Sequence, residues 1–270
     1  MRKEEEMSDL IQWPVAKWWN RDWNPVIGCQ KISPACQNCW ANAWADRFGQ
    51  SFEPHRSSKQ KPPKSGVVFV GGLTDMFGEF VDEEDSINYI ARAQANGGKD
   101  AVYIWLTKRP SRMCDALNHG WVCEKDYHIC KDILPEALGN HYFGFTAENQ
   151  EWFDKRAEEI AAIWKMSDMF NLWLSAEPLL GPIELRGEIC KHLRWVVVGA
   201  ESGSTRRPCN IEWVEDIVDE CLTLGIPTFV KQVVLPSGRF TNKIEDFPKH
   251  LQIRQVPWAQ KKEGGSSNGQ

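Results

Sequence analysis

From Val67 onward the chain alternates short apolar runs with longer stretches in which apolar positions recur every three or four residues. The runs Val67–Val70, Ala101–Leu106, His141–Phe145, Leu172–Leu174, Trp195–Val198 and Pro227–Val230 are rich in β-branched and aromatic residues and are predicted to be strands. The stretches Glu83–Gln94, Glu151–Trp164 and Ile211–Leu224 are predicted to be amphipathic helices. A strand buried on one face alternates polar and apolar residues, whereas these runs are continuously apolar. They therefore imply an α/β fold, a parallel sheet covered by helices in β/α order. No sequence repeat accompanies this rhythm.

Polar and charged residues follow directly after each run. They are Thr74 and Asp75, then Thr107, Lys108 and Arg109, then Thr146, Glu148 and Asn149, then Ser175 and Glu177, then Glu201 and Ser202, then Lys231 and Gln232. In a β/α barrel all of them fall on the C-terminal rim, the face that carries active sites. Chance would scatter them over both strand ends, so the asymmetry points to an enzyme. Each also has a local alternative: Thr107, Thr146 and Ser175 as helix caps, Asp75 as an N-cap, and Lys108 with Glu177 as a structural pair.

The stretch ahead of the first run changes the picture. Trp13, Trp18, Trp19 and Trp23 crowd together, and Cys29, Cys36 and Cys39 follow in a loop marked by Pro25, Gly28, Ser33 and Pro34, before a short helix predicted over Trp40 to Phe48. Three is the informative number. A structural zinc site closes with four protein ligands, whereas three thiolates on a four-iron cluster leave one iron open. The indoles are expected to pack the loop onto the body, a stacking platform for a base being the sharper alternative. The Pro-, Ser- and Lys-rich segment Gly49–Gly66 adds His55, Arg56, Lys59, Lys61 and Lys64 to Arg47, either as solvated surface or as a contact for an anionic polynucleotide.

Length and charge set the outer bounds. At 270 residues and 42% apolar content the chain suits one large domain with a real core. No run of eighteen apolar residues exists, and residues 1–9 are acidic rather than signal-like, so a cytoplasmic protein without membrane contact is expected. Nine cysteines, an odd number, suit thiols and metal ligands better than a disulfide framework. A net charge of −5 argues against indiscriminate nucleic-acid binding.

The cysteine loop resembles that of radical S-adenosylmethionine enzymes, with C-x6-C-x2-C here where C-x3-C-x2-C is common there. The wider pattern is W-N-P-x-x-G-C before the loop and S-P-x-C-x-x-C within it. The runs Leu106–Pro110, Glu177–Pro182, Val198–Gly203 and Phe229–Gln232 extend it. Together these are similar to a phage-encoded radical-SAM-like family of unknown function, over most of residues 13–235. The resemblance implies a partial (β/α)6-type TIM barrel of the radical SAM kind, in which Cys29, Cys36 and Cys39 bind a [4Fe-4S] cluster. S-adenosyl-L-methionine would chelate the open iron and be cleaved to a 5′-deoxyadenosyl radical, with electrons from a reductant such as flavodoxin. It further implies that Gly71, Gly72 and Asp75 meet the methionyl amino group, with Thr107 nearby, and that Glu201 and Ser202 meet the adenosine. Lys108, Arg109 and Lys231 would hold the cofactor carboxylate or an anionic substrate, and Glu148 and Glu177, with Lys108, are the catalytic candidates. The expected substrate is a nucleic-acid base or modified nucleotide of the phage DNA-hypermodification type, with Arg56 and Lys59 as contacts.

The competing readings are a zinc-binding nucleic-acid protein with His55 as fourth ligand, and a cluster-free barrel hydrolase using Asp75, Glu148, Glu177 and Glu201. Cys114, Cys123 and Cys130, near His119 and His128, match no familiar metal spacing and read as buried thiols, as do Cys190, Cys209 and Cys221. The expected organisation is a mobile N-terminus (1–12), the barrel (13–234, with a basic loop 47–66 and an insertion 111–140), an extension (235–262) and a disordered tail (263–270).

Overall fold

The computed structural model describes residues 10–97, 100–119 and 138–260. The expected insertion with Cys123, Cys130 and His128, the start of the N-terminus and the tail lie largely or wholly outside them. In chain order the strands are β1 (Leu10–Gln12), β2 (Arg21–Trp23), β3 (Val26–Ile27), β4 (His55–Arg56), β5 (Gly66–Val70), β6 (Ala101–Thr107), β7 (His141–Thr146), β8 (Asn171–Ala176), β9 (Leu193–Gly199), β10 (Thr228–Val234), β11 (Phe240–Thr241) and β12 (Gln255–Gln260). The helices are α1 (Trp40–Arg47), α2 (Glu83–Gly97), α3 (Pro110–His119), α4 (Gln150–Glu159), α5 (Ala161–Met166) and α6 (Ile211–Leu224).

One eight-stranded sheet runs in the order β11-β10-β9-β8-β7-β6-β5-β2. Neighbours from β2 to β10 pair in parallel, and only β11 is antiparallel. Sequence order equals spatial order, so the sheet winds in one direction, consistent with a partial barrel. The six predicted strands are β5 to β10, and β2 is a short strand ahead of the cysteine loop. The expected single helix over Glu151–Trp164 is two, α4 and α5, breaking at Ile160. No glycine or proline marks that break.

Alternate side chains of each strand serve two cores. Val68, Val70, Tyr103, Trp105, Phe143, Phe145, Leu172, Leu174, Val196 and Val198 face the helices. Their neighbours Val67, Phe69, Ile104, Tyr142, Trp173, Trp195, Val197 and Phe229 face the concave side. There Trp18 from the N-terminal segment and Val256 from β12 fill the lower barrel, with Trp258 against Tyr142 and Trp195. Each buried indole removes roughly 150–250 Å² from water, on the order of 4–6 kcal/mol before ordering costs. The Trp173 ring lies so close over β7 that a Cβ at Gly144 would stand 2.3 Å from it. Its Nε1 crosses further, donating to the Trp105 carbonyl at 3.0 Å.

The chain after 234 holds more order than its sequence suggests. Strand β12 pairs antiparallel with β1, which the sequence placed in a mobile N-terminus. Val230 N–H donates to the Ile253 carbonyl, and Trp195 Nε1 to that of Gln255. A strand of three residues such as Leu10–Gln12 is too short to carry a periodicity signal of its own.

Candidate active site at the C-terminal rim

The cysteine loop leaves β3 through Gly28, whose φ of +92° only glycine adopts readily. A Cβ there would meet the Glu53 carbonyl carbon at 2.5 Å. The next turn, Pro34–Cys36, is a 3-10 helix, and Cys39 precedes α1. The ends of four strands then hold this loop in place.

After β5, Thr74 Oγ1 donates to the Gly28 carbonyl at 2.6 Å, and Gly28 N–H to the Leu73 carbonyl at 3.0 Å. After β6, Arg109 donates from Nη2 to the Gln30 carbonyl at 3.3 Å, from Nη1 to Asp75 at 3.1 Å and from Nε to Glu79 at 2.6 Å. Asp75 also accepts from Thr107 Oγ1 (2.7 Å), Phe77 N–H and Lys108 N–H (both 3.1 Å). After β7, the fully buried Glu148 accepts from Ala35 N–H at 3.3 Å and from Arg156 Nη1 at 2.7 Å. After β9, Glu201 accepts from Asn38 Nδ2 (2.9 Å) and from the Arg207 N–H (2.8 Å), Nε (3.0 Å) and Nη2 (2.5 Å). Arg207 Nη1 also reaches the Pro34 carbonyl at 2.9 Å. Burial raises the Glu201 carboxyl, but the Arg207 and Asn38 hydrogen bonds outweigh it and hold the group below the ordinary range.

All three loop thiols line one cavity of about 130 Å³, together with Gly71, Gly72, Thr74, Asp75, Thr107, Lys108, Arg109 and Thr146. A larger chamber of about 420 Å³ shares Cys39, Lys108 and Thr146 with it and adds Trp19, Ser175, Glu177, Glu201, Ser202 and Lys231. Glu177 Oε1 accepts from Lys231 Nζ at 2.6 Å and from Gln232 Nε2 at 3.2 Å. The two cavities thus meet at Lys108. Burial, followed by the charge of Asp75, pushes the Cys29 thiol up to about 12. Cys36 goes the other way: burial opposes it, yet Lys108 and hydrogen bonds from Ile32 and Ser33 lower it.

A tetrahedral zinc holds thiolates at about 2.3 Å from the ion, so that they stand within about 4 Å of one another. Among the described residues no three His, Cys, Asp or Glu side chains gather in that way. His55, the fourth zinc ligand considered from sequence, is exposed with its Nδ1 2.8 Å from the Glu53 carbonyl oxygen.

The structure brings together Cys29, Cys36, Cys39, Gly71, Gly72, Asp75, Thr107, Lys108, Arg109, Glu177, Glu201, Ser202 and Lys231 along the two cavities. It places Glu148 beneath the loop, away from both. Arg56 and Lys59 are exposed and line neither; Arg56 pairs with Asp85. Glu177 pairs with Lys231, where the sequence suggested Lys108. Arg207 and Arg156 were not singled out from sequence, because an arginine in a polar segment gives no sign of the carboxylate it will meet. The tryptophans divide into two groups: Trp18 and Trp23 are core, whereas Trp40 and Trp44 on α1 stay 50% and 42% exposed. Cys114, Cys190, Cys209 and Cys221 are buried.

Among the described residues no helix is long and apolar enough to cross a membrane. A family described as "Protein of unknown function (DUF5131)" matches residues 15–246. No curated protein matches. Among solved structures the chain is similar to a spore photoproduct lyase complexed with dinucleoside spore photoproduct, at 12% identity and a TM-score of 0.43. That likeness covers 70% of this chain and 58% of the other, less than two thirds of its length.

Proposed function

The chain belongs to the DUF5131 family, whose function is unknown, and we propose that it is a radical S-adenosylmethionine enzyme acting on a nucleic-acid base or modified nucleotide. The observation that carries this reading is the position of Cys29, Cys36 and Cys39 on the wall of one rim cavity that opens beside a larger chamber. The donor set fits a [4Fe-4S] cluster: Cys29, Cys36 and Cys39 are three soft sulfur donors on one cavity wall. When bound, the cluster would pass one electron from a reductant such as flavodoxin to S-adenosylmethionine, cleaving its sulfur–C5′ bond to methionine and a 5′-deoxyadenosyl radical.

The chain's own residues then have distinct tasks. Thr74, Arg109, Glu148 and Arg207 position the loop that carries the thiols, so Glu148 and Arg109 are positioning residues rather than proton carriers or substrate contacts. Gly71 and Gly72 leave backbone exposed at the cavity wall, and Thr107 and Asp75 frame it. Lys108, whose Nζ meets no carboxylate among the described residues, offers a cation where the two cavities meet. The Glu177–Lys231 pair and Ser202 bound the chamber, where a ribose or substrate hydroxyl would find both donor and acceptor. The indoles of Trp18 and Trp19 give the chamber an apolar wall. Arg56 and Lys59, away from the cavities, would touch only a substrate long enough to run across the surface.

The test is anaerobic reconstitution with iron and sulfide, followed by metal analysis and electron paramagnetic resonance of the reduced protein. A four-iron signal that shifts on adding S-adenosylmethionine and is lost in Cys29→Ala/Cys36→Ala/Cys39→Ala is expected. Stoichiometric zinc without a cluster would refute the proposal.

A further inference from the structure

A third cavity, of about 90 Å³, lies between the first turn of α3 and the outer face of α4, behind the cysteine loop. Lys108, Arg109, Arg112, Lys155 and Arg156 line it, against the two carboxylates Glu79 and Glu159. Asp75 and Glu148 reach Arg109 and Arg156 from other sides and take up part of that excess. What they leave is specific. The Arg156 side chain is fully buried, and one of its nitrogens, Nη1, is used by Glu148 and the Thr146 carbonyl. Among the described residues its Nε and Nη2 have no hydrogen-bond partner. Trp152 covers the guanidinium, with Cζ 4.3 Å from the ring centroid, so these N–H groups cannot turn away to solvent.

A buried charged donor pair without an acceptor costs several kcal/mol in principle, so such a pair is retained where something accepts from it. An anion suits that acceptor position best, because cations dominate the wall. Lys155 stands at the exposed edge with its Nζ 5.0 Å from the same Trp152 ring. The first turn of the ten-residue α3 contributes Ser111 and Arg112, and its dipole favours negative charge there. The guanidinium of Arg112 is anchored to the Phe77 and Val81 carbonyls, both at 2.9 Å, which fixes that side of the cavity. The volume is several times what one water needs. A buried guanidinium, a lysine and a helix N-terminus round such a space match a tetrahedral oxyanion.

We propose that this cavity is a phosphate site, and that the phosphate it takes belongs to the nucleotide backbone of the substrate. The second half rests on the function proposed above. Lys108 and Arg109 line both this cavity and the one at the cysteines, so a phosphate held here would fix a nucleotide at the edge of the rim. It would do so before any chemistry, which makes the site a binding handle.

The experiment uses the full chain without cluster, at constant ionic strength, and measures binding calorimetrically. The titrants are inorganic phosphate and a short single-stranded oligodeoxynucleotide with a 5′-phosphate. Two variants are compared: Lys155→Glu, at an exposed position, and Ser111→Glu, which places a carboxylate at the helix N-terminus where it suits the dipole and preserves the fold. Phosphate and oligonucleotide binding that compete, and that each variant weakens by about tenfold or more, are expected. Phosphate binding without competing oligonucleotide binding would overturn the assignment to substrate. No binding of either, or binding unchanged in both variants, would overturn the site itself. Because the protein carries no cluster in this assay, failure here is distinct from failure of the radical reading, which reconstitution decides.

Discussion

His141, at the start of β7, makes the stability of this protein depend on pH in a calculable way. Its side chain is fully buried among Tyr103, Trp105 and Phe143. Nδ1 accepts from Trp105 Nε1 at 3.1 Å, which puts the proton on Nε2, and Nε2 has no partner among the described residues. Burial alone drives the group from 6.5 down to about 3. With the folded value depressed, the native state keeps a neutral ring while the unfolded chain takes up a proton. Stability is therefore complete above about pH 6.5 and is lost progressively toward about pH 3. Between about pH 7.5 and about pH 5 the loss from this one group is about 2 kcal/mol, and moving the folded value by a unit changes it by less than about 0.1 kcal/mol. The assay is urea unfolding followed by tryptophan fluorescence at several pH values, for the wild type and His141→Gln. The variant is expected to be less stable at neutral pH, yet to lose about 2 kcal/mol less on acidification. Parallel losses in the two proteins would refute the reasoning, since every other titrating group is common to both.

Two further outcomes are expected. Gly144→Ala forces a methyl against the Trp173 indole at 2.3 Å and should cost about 1–3 kcal/mol, read as a lower urea midpoint with an unchanged slope. Arg207→Ala removes both guanidinium donors and leaves the Glu201 carboxylate with Asn38 Nδ2 and the backbone N–H at position 207. Because Arg207 is 26% exposed, the loss is discounted to about 1–3 kcal/mol. Iron retained after reconstitution should fall as well, whereas the neighbouring Arg206→Ala, whose guanidinium only covers Phe240, should retain it.

What the sequence disclosed and what it hid follow one physical division. Strands such as β9 from Trp195 to Gly199 are buried on both faces and therefore read as unbroken apolar runs, which made the β/α order and the rim legible. The side on which Thr107, Thr146, Ser175 and Lys231 fall follows from strand direction alone. Pairings between distant polar groups do not. Asn38 and Glu201 are 163 positions apart, and neither position carries a local pattern that names its partner. For the same reason Arg109 reads from sequence as a substrate contact, while in the fold Asp75, Glu79 and Gln30 already occupy it. The end of α4 at Ile160 was hidden because no residue there disfavours a helix; tertiary packing of Ile160 and Ile163 sets it.

The pairing of β1 with β12 has a consequence for how the molecule is made. Arg254 N–H reaches Gln12 Oε1 across 242 positions, and Val256 joins Trp18 in the same core. During synthesis the sheet from β2 to β10 can be laid down strand by strand as each emerges, because every new strand docks on its predecessor. Its floor cannot close until residues 253–260 have left the ribosome. Until then the indoles of Trp18 and Trp195 face an unfinished barrel, the state in which a nascent chain is most exposed to misassociation. The loop-closure entropy of that last step falls due only at the end. Truncation before Ile253 should therefore yield a chain that binds chaperones, rather than a smaller folded protein.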